Sequence, residues 1–242
     1  MKLDALVTEP TSRRISPAFF VIALACFFFT FAGVSCNTSA AKQTLSAASS
    51  LTGGAAQSAQ LNSCLDSLQG LNLFSYGGLD FVLGSAPSQL TTPPGPCGAS
   101  QSALGRSGSI SSDAMRVGVQ PLALAGFIAI ALAILWGVAG LLRRTSTRRH
   151  FLLLGGLGLI ALVTLVINQV HAPTVILDKV SNAAAGQGAP FSLTDFFVVN
   201  TGIAVYVALA MVAVAFLHAT TVTLLSLRAP TVVDASLARA PD

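Results

Sequence analysis

Long stretches of this chain carry no Asp, Glu, Lys or Arg, and the charged residues collect between them. Four uncharged runs stand out: Ile15–Ala41, Val117–Leu142, Phe151–Leu177 and Phe196–Leu227. Each exceeds the roughly 20 residues that a helix needs to cross the hydrocarbon core of a bilayer. Their most apolar parts predict transmembrane helices over 17–36, 121–142, 151–170 and 198–219. The pattern therefore predicts an all-α transmembrane fold, a four-helix bundle. Segments 37–120 and 171–197 lie on one side of the membrane, and segments 1–16, 143–150 and 220–242 on the other.

Segment 37–120 is long enough to form a small cap, partly β or irregular, although much of it is Ser, Ala, Gly and Thr. Within it, strand-prone residues flank Gly77-Gly78 over Leu71–Leu83, the signature of a two-residue β-hairpin. Gln57–Leu68 suits a short amphipathic helix, and Thr91–Pro96, with three prolines, suits an extended turn. Met115–Val119 reads as a strand leading to Pro121, which is well placed in the first turn of a helix. In segment 171–197, Ala183–Pro190 reads as a loop tip. Ser192 and Asp195 there form a capping-box pattern with Asp in place of Glu.

Composition sharpens the class. Of 242 residues, 53% are hydrophobic and only 9% are charged, against about 25% charged in soluble domains. An ordinary soluble enzyme and an acidic disordered protein are both excluded. The net charge of +4 is no nucleic-acid signature, because the cations sit at the edges of the apolar runs. Arg13 and Arg14 precede the first run, and Arg143, Arg144, Arg148 and Arg149 separate the second and third. Arg228 and Arg239 follow the last. Placing these segments in the cytoplasm puts nine of the 13 Lys/Arg inside and leaves Lys42, Arg106, Arg116 and Lys179 outside. Both termini are then cytoplasmic, and the arginines act as topology determinants. The other reading of the arginine run is a site for lipid phosphate or a partner protein.

The first run has features of export signals. Ser12–Ser16 resembles a twin-arginine motif, with Ser16 where a bulky apolar residue belongs. Gly33–Cys36 resembles a lipoprotein box, with glycine in the leucine place, and Thr38–Ala41 offers small residues for cleavage. A full bilayer length rich in phenylalanine favours retention as a membrane helix. Of the four cysteines, Cys64 and Cys97 flank the hairpin and the proline turn and are the expected disulfide. Cys36 competes for either partner, and Cys26 reads as a small apolar filler.

Chemistry-bearing motifs are sparse. HExxH, GxSxG, Walker and GxGxxG patterns are absent, and no cysteine or histidine spacing suggests a metal. His150 and His218 fall near the same predicted membrane face and are candidates for haem ligation. The simpler reading has His150 extending the arginine cluster and His218 hydrogen-bonded at headgroup level. His171 reads as an interfacial polar residue. Thr30, Thr164, Asn168, Asn200, Thr201 and Tyr206 supply interhelical hydrogen bonds rather than an ion path. Small residues are placed for close helix packing: Ala125, Ala129, Ala133 and Gly137 in the second run, Gly155, Gly158 and Ala161 in the third. In the fourth, Ala204 and Ala208 share one face, and Gly202, Tyr206 and Ala210 another. Trp136 suits an interfacial anchor.

Phe28-Phe29-Thr30-Phe31-Ala32-Gly33-Val34-Ser35-Cys36-Asn37, followed by Gln43-Thr44-Leu45, resembles a stretch of uncharacterised bacterial four-helix integral membrane proteins. In these a phenylalanine-rich first helix ends in a Val-Ser-Cys turn, and an extracytoplasmic segment and three helices follow. Thr30 stands where that pattern has proline. The resemblance implies a bacterial plasma membrane and no reaction. The layout is also similar to claudin-like tetraspans, without their first-loop tryptophan, since none lies between 37 and 120. The expected function is a non-catalytic accessory or scaffold subunit that packs with lipid and with other membrane subunits or itself. No cofactor and no nucleic acid is expected. Alternatives are a small transporter or channel for a neutral or apolar solute, and a pigment- or haem-associated subunit.

Overall fold

The computed structural model describes residues 10–52, 62–87, 89–90, 115–142, 147–185 and 196–228. Six helices and four strands are named here: α1 Pro10–Cys26, β1 Thr30–Cys36, α2 Thr38–Thr52, β2 Asn72–Gly77, α3 Gly78–Leu83, β3 Gln89–Leu90, α4 Pro121–Leu142, α5 Thr147–Ala185, β4 Phe197–Thr201 and α6 Ile203–Arg228. A further helical turn covers 62–67. Three helices contain spans long and apolar enough to cross a membrane: Pro121–Leu142, Arg148–Asn182 and Ile203–Leu225. The apolar part of α1, Ile15–Cys26, is shorter. Around the interior, α1 packs on α4 and α6, α4 on α5, and α5 on α6.

The expected first span, 17–36, is corrected. The helix stops at Cys26, and Phe27, Phe28 and Phe29 donate their N–H groups to Leu24, Ala25 and Cys26 carbonyls at 3.0–3.1 Å in a tightened last turn. Residues 30–36 then form β1, one of the two inner strands of an antiparallel sheet ordered β3-β2-β1-β4. Phe31 to Ser35 are all buried, so both faces of the strand are covered. Such a strand shows no polar alternation and reads like any buried apolar segment. The aromatic and β-branched content of this stretch favours a strand once partners exist. Ala32 to Cys36 pair with Thr201 to Phe197 of β4, and the other edge pairs with β2.

The expected hairpin at Gly77-Gly78 is a strand-to-helix junction instead. Gly77 caps α3 in an extended conformation, and its N–H donates to Asp80 Oδ2 at 2.7 Å. Gly84 ends the helix at φ +68, and a β-carbon there would lie 2.6 Å from the Val119 nitrogen. Only glycine meets both demands. β2 pairs with the distant β1 on one edge and with β3, beyond α3, on the other, so the turn residues alone gave a false pairing with 79–83. Met115–Val119, expected as a strand, is a turn residue followed by irregular backbone that continues to Gln120. Gln120 there donates its N–H to the Phe81 carbonyl at 2.8 Å.

The second span lies where expected, at Pro121–Leu142. The third is longer than the expected 151–170: α5 has 39 residues and runs through Pro173. At 1.5 Å per residue those 39 residues reach about 58 Å, roughly twice the hydrocarbon thickness. The extension persists because Ala172, Ile176 and Val180, one turn apart, are all buried. The fourth span, expected over 198–219, begins after β4 and runs from Ile203 to Arg228. Residues 57–61, Thr91–Pro96, 186–190, Ser192 and Asp195, on which other expectations rest, lie outside the described residues.

Small residues let rings enter the interior. Pro17 of α1 fits against Gly137, where a β-carbon would lie 2.5 Å from its Cγ. The end of the Phe20 ring would lie 3.3 Å from a β-carbon on Gly158, as would Phe216 Cβ. Ala129, Ala133, Ala161, Ala204 and Ala208 are buried, as are Gly155, Gly158 and Gly137. Ala125 is only half-buried, and Tyr206 and Ala210 are exposed. Most of the expected small-residue strips thus serve packing within the chain. Gly202 is different: it lies before α6, donates its N–H to the Phe31 carbonyl at 2.7 Å, and presses on β1.

A β-carbon on Gly202 would lie 2.0 Å from the Thr30 carbonyl oxygen, whereas Gly156 has nothing within 4 Å. Gly202→Ala is therefore expected to cost about 1–3 kcal/mol. Gly156→Ala is expected to be neutral or stabilising by up to about 1 kcal/mol. Thermal unfolding of both variants in detergent checks the contrast.

Candidate functional site

Polar and charged groups gather at the two ends of the helices. At the arginine-rich end, α5 begins at Thr147 and alternates in pairs. Arg148 and Arg149 are exposed, His150 and Phe151 buried, Leu152 and Leu153 exposed, and Leu154 and Gly155 buried. Arg148, Arg149, Leu152 and Leu153 line an open depression of about 460 Å³. Arg13 and Arg14 lie within α1, at the same end as judged by the packing of Pro17 on Gly137. Arg143 and Arg144 lie outside the described residues. Trp136 is partly exposed near this end of α4.

The candidate haem ligands are brought near each other, with one phenylalanine touching both. The Phe151 ring lies 5.3 Å from His150 and 5.9 Å from His218, edge-on in each case. His150 presses on Gly140, where a β-carbon would lie 2.0 Å from its Cε1. The fully buried Ser16 hydroxyl hydrogen-bonds His218 Nδ1 at 2.7 Å. A pair of axial haem ligands needs two imidazoles facing one shared plane; here both rings are packed against the same phenylalanine. No group of three or more potential metal ligands occurs among the described residues. The Ser16 contact was hidden in the sequence, where its only signal was a hydroxyl interrupting an apolar run.

At the opposite end the sheet meets the helices through side-chain hydrogen bonds. Gln169 Nε2 donates to Thr201 Oγ1 at 2.6 Å, tying α5 to β4. Asn200 Nδ2 donates to Ser35 Oγ at 2.8 Å across the β1–β4 pair. Asn168 is buried and His171 exposed on α5. The Tyr76 hydroxyl donates to the Met115 carbonyl at 2.9 Å, pinning β2 to the approach to α4. Lys42 of α2 pairs with Asp66 of the 62–67 turn, both partly exposed, a contact worth about 0–1 kcal/mol. Cys26 and Cys36 are free thiols. Burial pushes the Cys36 thiol up, which lowers its reactivity. Cys64 is disulfide-bonded, and its expected partner Cys97 lies outside the described residues.

Two measurements probe these ends. Ser16→Ala removes the hydrogen-bond partner of the half-buried His218 imidazole and is expected to cost about 0.5–1.5 kcal/mol. His218→Phe should cost less in that background than alone, since the shared bond is already gone; a double-mutant cycle on detergent unfolding reads this. Burial, and secondarily the Asp80 carboxylate, push the Tyr76 hydroxyl up to about 12, against about 10 for a free phenol. The folded state holds this proton more tightly. Its stabilising contribution is therefore complete below about pH 10 and is lost as pH rises through about 12. In a Tyr206→Phe variant, the remaining phenolate absorbance should appear only near that upper value.

No family model, curated protein or solved structure matches this chain.

Proposed function

We propose that this chain is a non-catalytic integral membrane accessory or scaffold subunit, which acts through packing in the membrane and through its sheet-bearing cap outside it. The observation that carries the reading is a filled, apolar interior. Phe20, Ile130, Ala133, Leu154, Ala161 and Ala215 have no solvent exposure. An interior so occupied leaves work to the outer surfaces of the helices and to the cap. Four helices, α1 with α4, α5 and α6, make up the proposed bundle. The arginine-rich end is assigned to the cytoplasm, with both termini there, by the distribution of cations. The membrane is assigned as a bacterial plasma membrane on the resemblance of the first segment.

One observation favours the transport alternative. The first span is interrupted, and discontinuous helices accompany substrate sites in many transporters. In this chain the interruption is filled by Phe27, whose ring contacts Phe31 at 4.9 Å and Phe127 at 5.3 Å.

Gentle native purification followed by mass spectrometry tests the proposal. The expected result is a reproducible membrane-protein partner or a defined homo-oligomer, together with no neutral-solute flux in reconstituted vesicles. A strictly monomeric protein without partners would overturn the scaffold reading, and flux lost on blocking the interior would replace it with transport.

A further inference from the structure

We propose that the outward face of the first two turns of α5 seats an anionic phospholipid. In this arrangement the headgroup phosphate lies against Arg148 and Arg149, and an acyl chain runs along Leu152 and Leu153. The four side chains line one open depression. They stand at i, i+1, i+4 and i+5, so each leucine lies one turn, about 6 Å, beyond an arginine on the same helix face. The apolar span of α5 begins at Arg148. The guanidinium groups therefore fall at the membrane boundary, and the leucines one turn into the hydrocarbon. That order, cationic at the edge and apolar inside, matches a phospholipid from headgroup to chain.

Two further observations favour this ligand. Among the described residues neither arginine is in an ion pair, and the described carboxylates, Asp66, Asp80 and Asp178, belong to the opposite end of the chain's span. No described carboxylate therefore neutralises the two arginines. The face is also held in register from behind. His150 is buried against Gly140, and Phe151 and Leu154 are buried with it, which prevents the first turns of α5 from rolling the arginines away. Arginine suits the role, since its planar fork pairs with two phosphate oxygens at once. The proposal needs a membrane around the helices and is independent of whether the chain has protein partners.

The test uses the full-length protein in detergent, with native mass spectrometry reading bound phosphatidylglycerol against phosphatidylcholine of identical acyl chains. We expect phosphatidylglycerol to be retained about tenfold better. The preference should fall to near parity in Arg148→Gln/Arg149→Gln and persist in Arg116→Gln, which removes a cation elsewhere. It should largely survive in Arg148→Lys/Arg149→Lys. Leu152→Ala/Leu153→Ala should weaken retention of the lipid without adding a response to glycerol phosphate. A photoactivatable phosphatidylglycerol on the unmodified chain provides a readout that needs no variant, with crosslinks expected on peptides containing 148–153. Equal retention of the two lipids, a preference that survives the glutamine pair, or crosslinks confined to other segments would each overturn the proposal. Displacement of the lipid by millimolar glycerol phosphate would also overturn it, marking a free-phosphate site instead.

Discussion

A backbone buried in apolar surroundings must have its N–H and C=O groups paired inside the protein, and in this chain that demand is sharpest where α1 stops. Phe27 packs on Phe127, which stands six residues, about 9 Å, along α4 from its start at Pro121. The end of α1 is therefore level with the interior of a neighbouring apolar span. The carbonyls of Phe27 and Phe29 are met by the N–H groups of Leu79 and Gly78, at 3.0 and 3.2 Å. These belong to the first turn of α3, where helix N–H groups lack partners of their own. One terminus with spare acceptors thus meets another with spare donors, and the position of β1, β2 and α3 follows from that meeting.

The same demand explains why β1 is the inner strand of its half of the sheet. A strand emerging from α1 at this depth needs pairing on both edges, and β2 and β4 supply it. Gly78 and Gly202 make room for the junction. A β-carbon on Gly78 would lie 2.8 Å from Phe27 Cα, and Gly202 is crowded more closely still by Thr30. Sheet and helices consequently share one core, in which Phe27, Phe31, Val34, Tyr76 and Phe81 continue the apolar packing of α4 and α6.

How much of this was readable from the sequence depended on whether the local pattern changed where the structure did. Between Gln120 and Arg143 a proline start and a charged stop bracket an even apolar run, and α4 fills it. Across Cys26 nothing changes in polarity, so one apolar run concealed both a helix and a strand. Beyond Asn168, Gln169 and His171 the polar residues suggested a boundary, while the buried series Ala172, Ile176, Val180 carried α5 onward. At Gly77-Gly78 the turn signal was real, but Asp80 made it a helix cap. The site residues divided similarly: the arginines were evident from charge, whereas the Ser16–His218 bond joins segments whose approach depends on tertiary packing.

The length of α5 has a mechanical consequence. A single helix joins the arginine-bearing boundary to the cap, so a tilt of about 5° over its roughly 58 Å shifts one end by about 5 Å relative to the other. Pro173 lies inside this helix. Its ring lacks the N–H that would brace the preceding turn, so bending costs least there. Gln169, one turn before it, is bonded to Thr201 of β4. The lever is thereby anchored to the sheet just below its softest point, so a tilt of the arginine-bearing end would load the sheet before the outer arm.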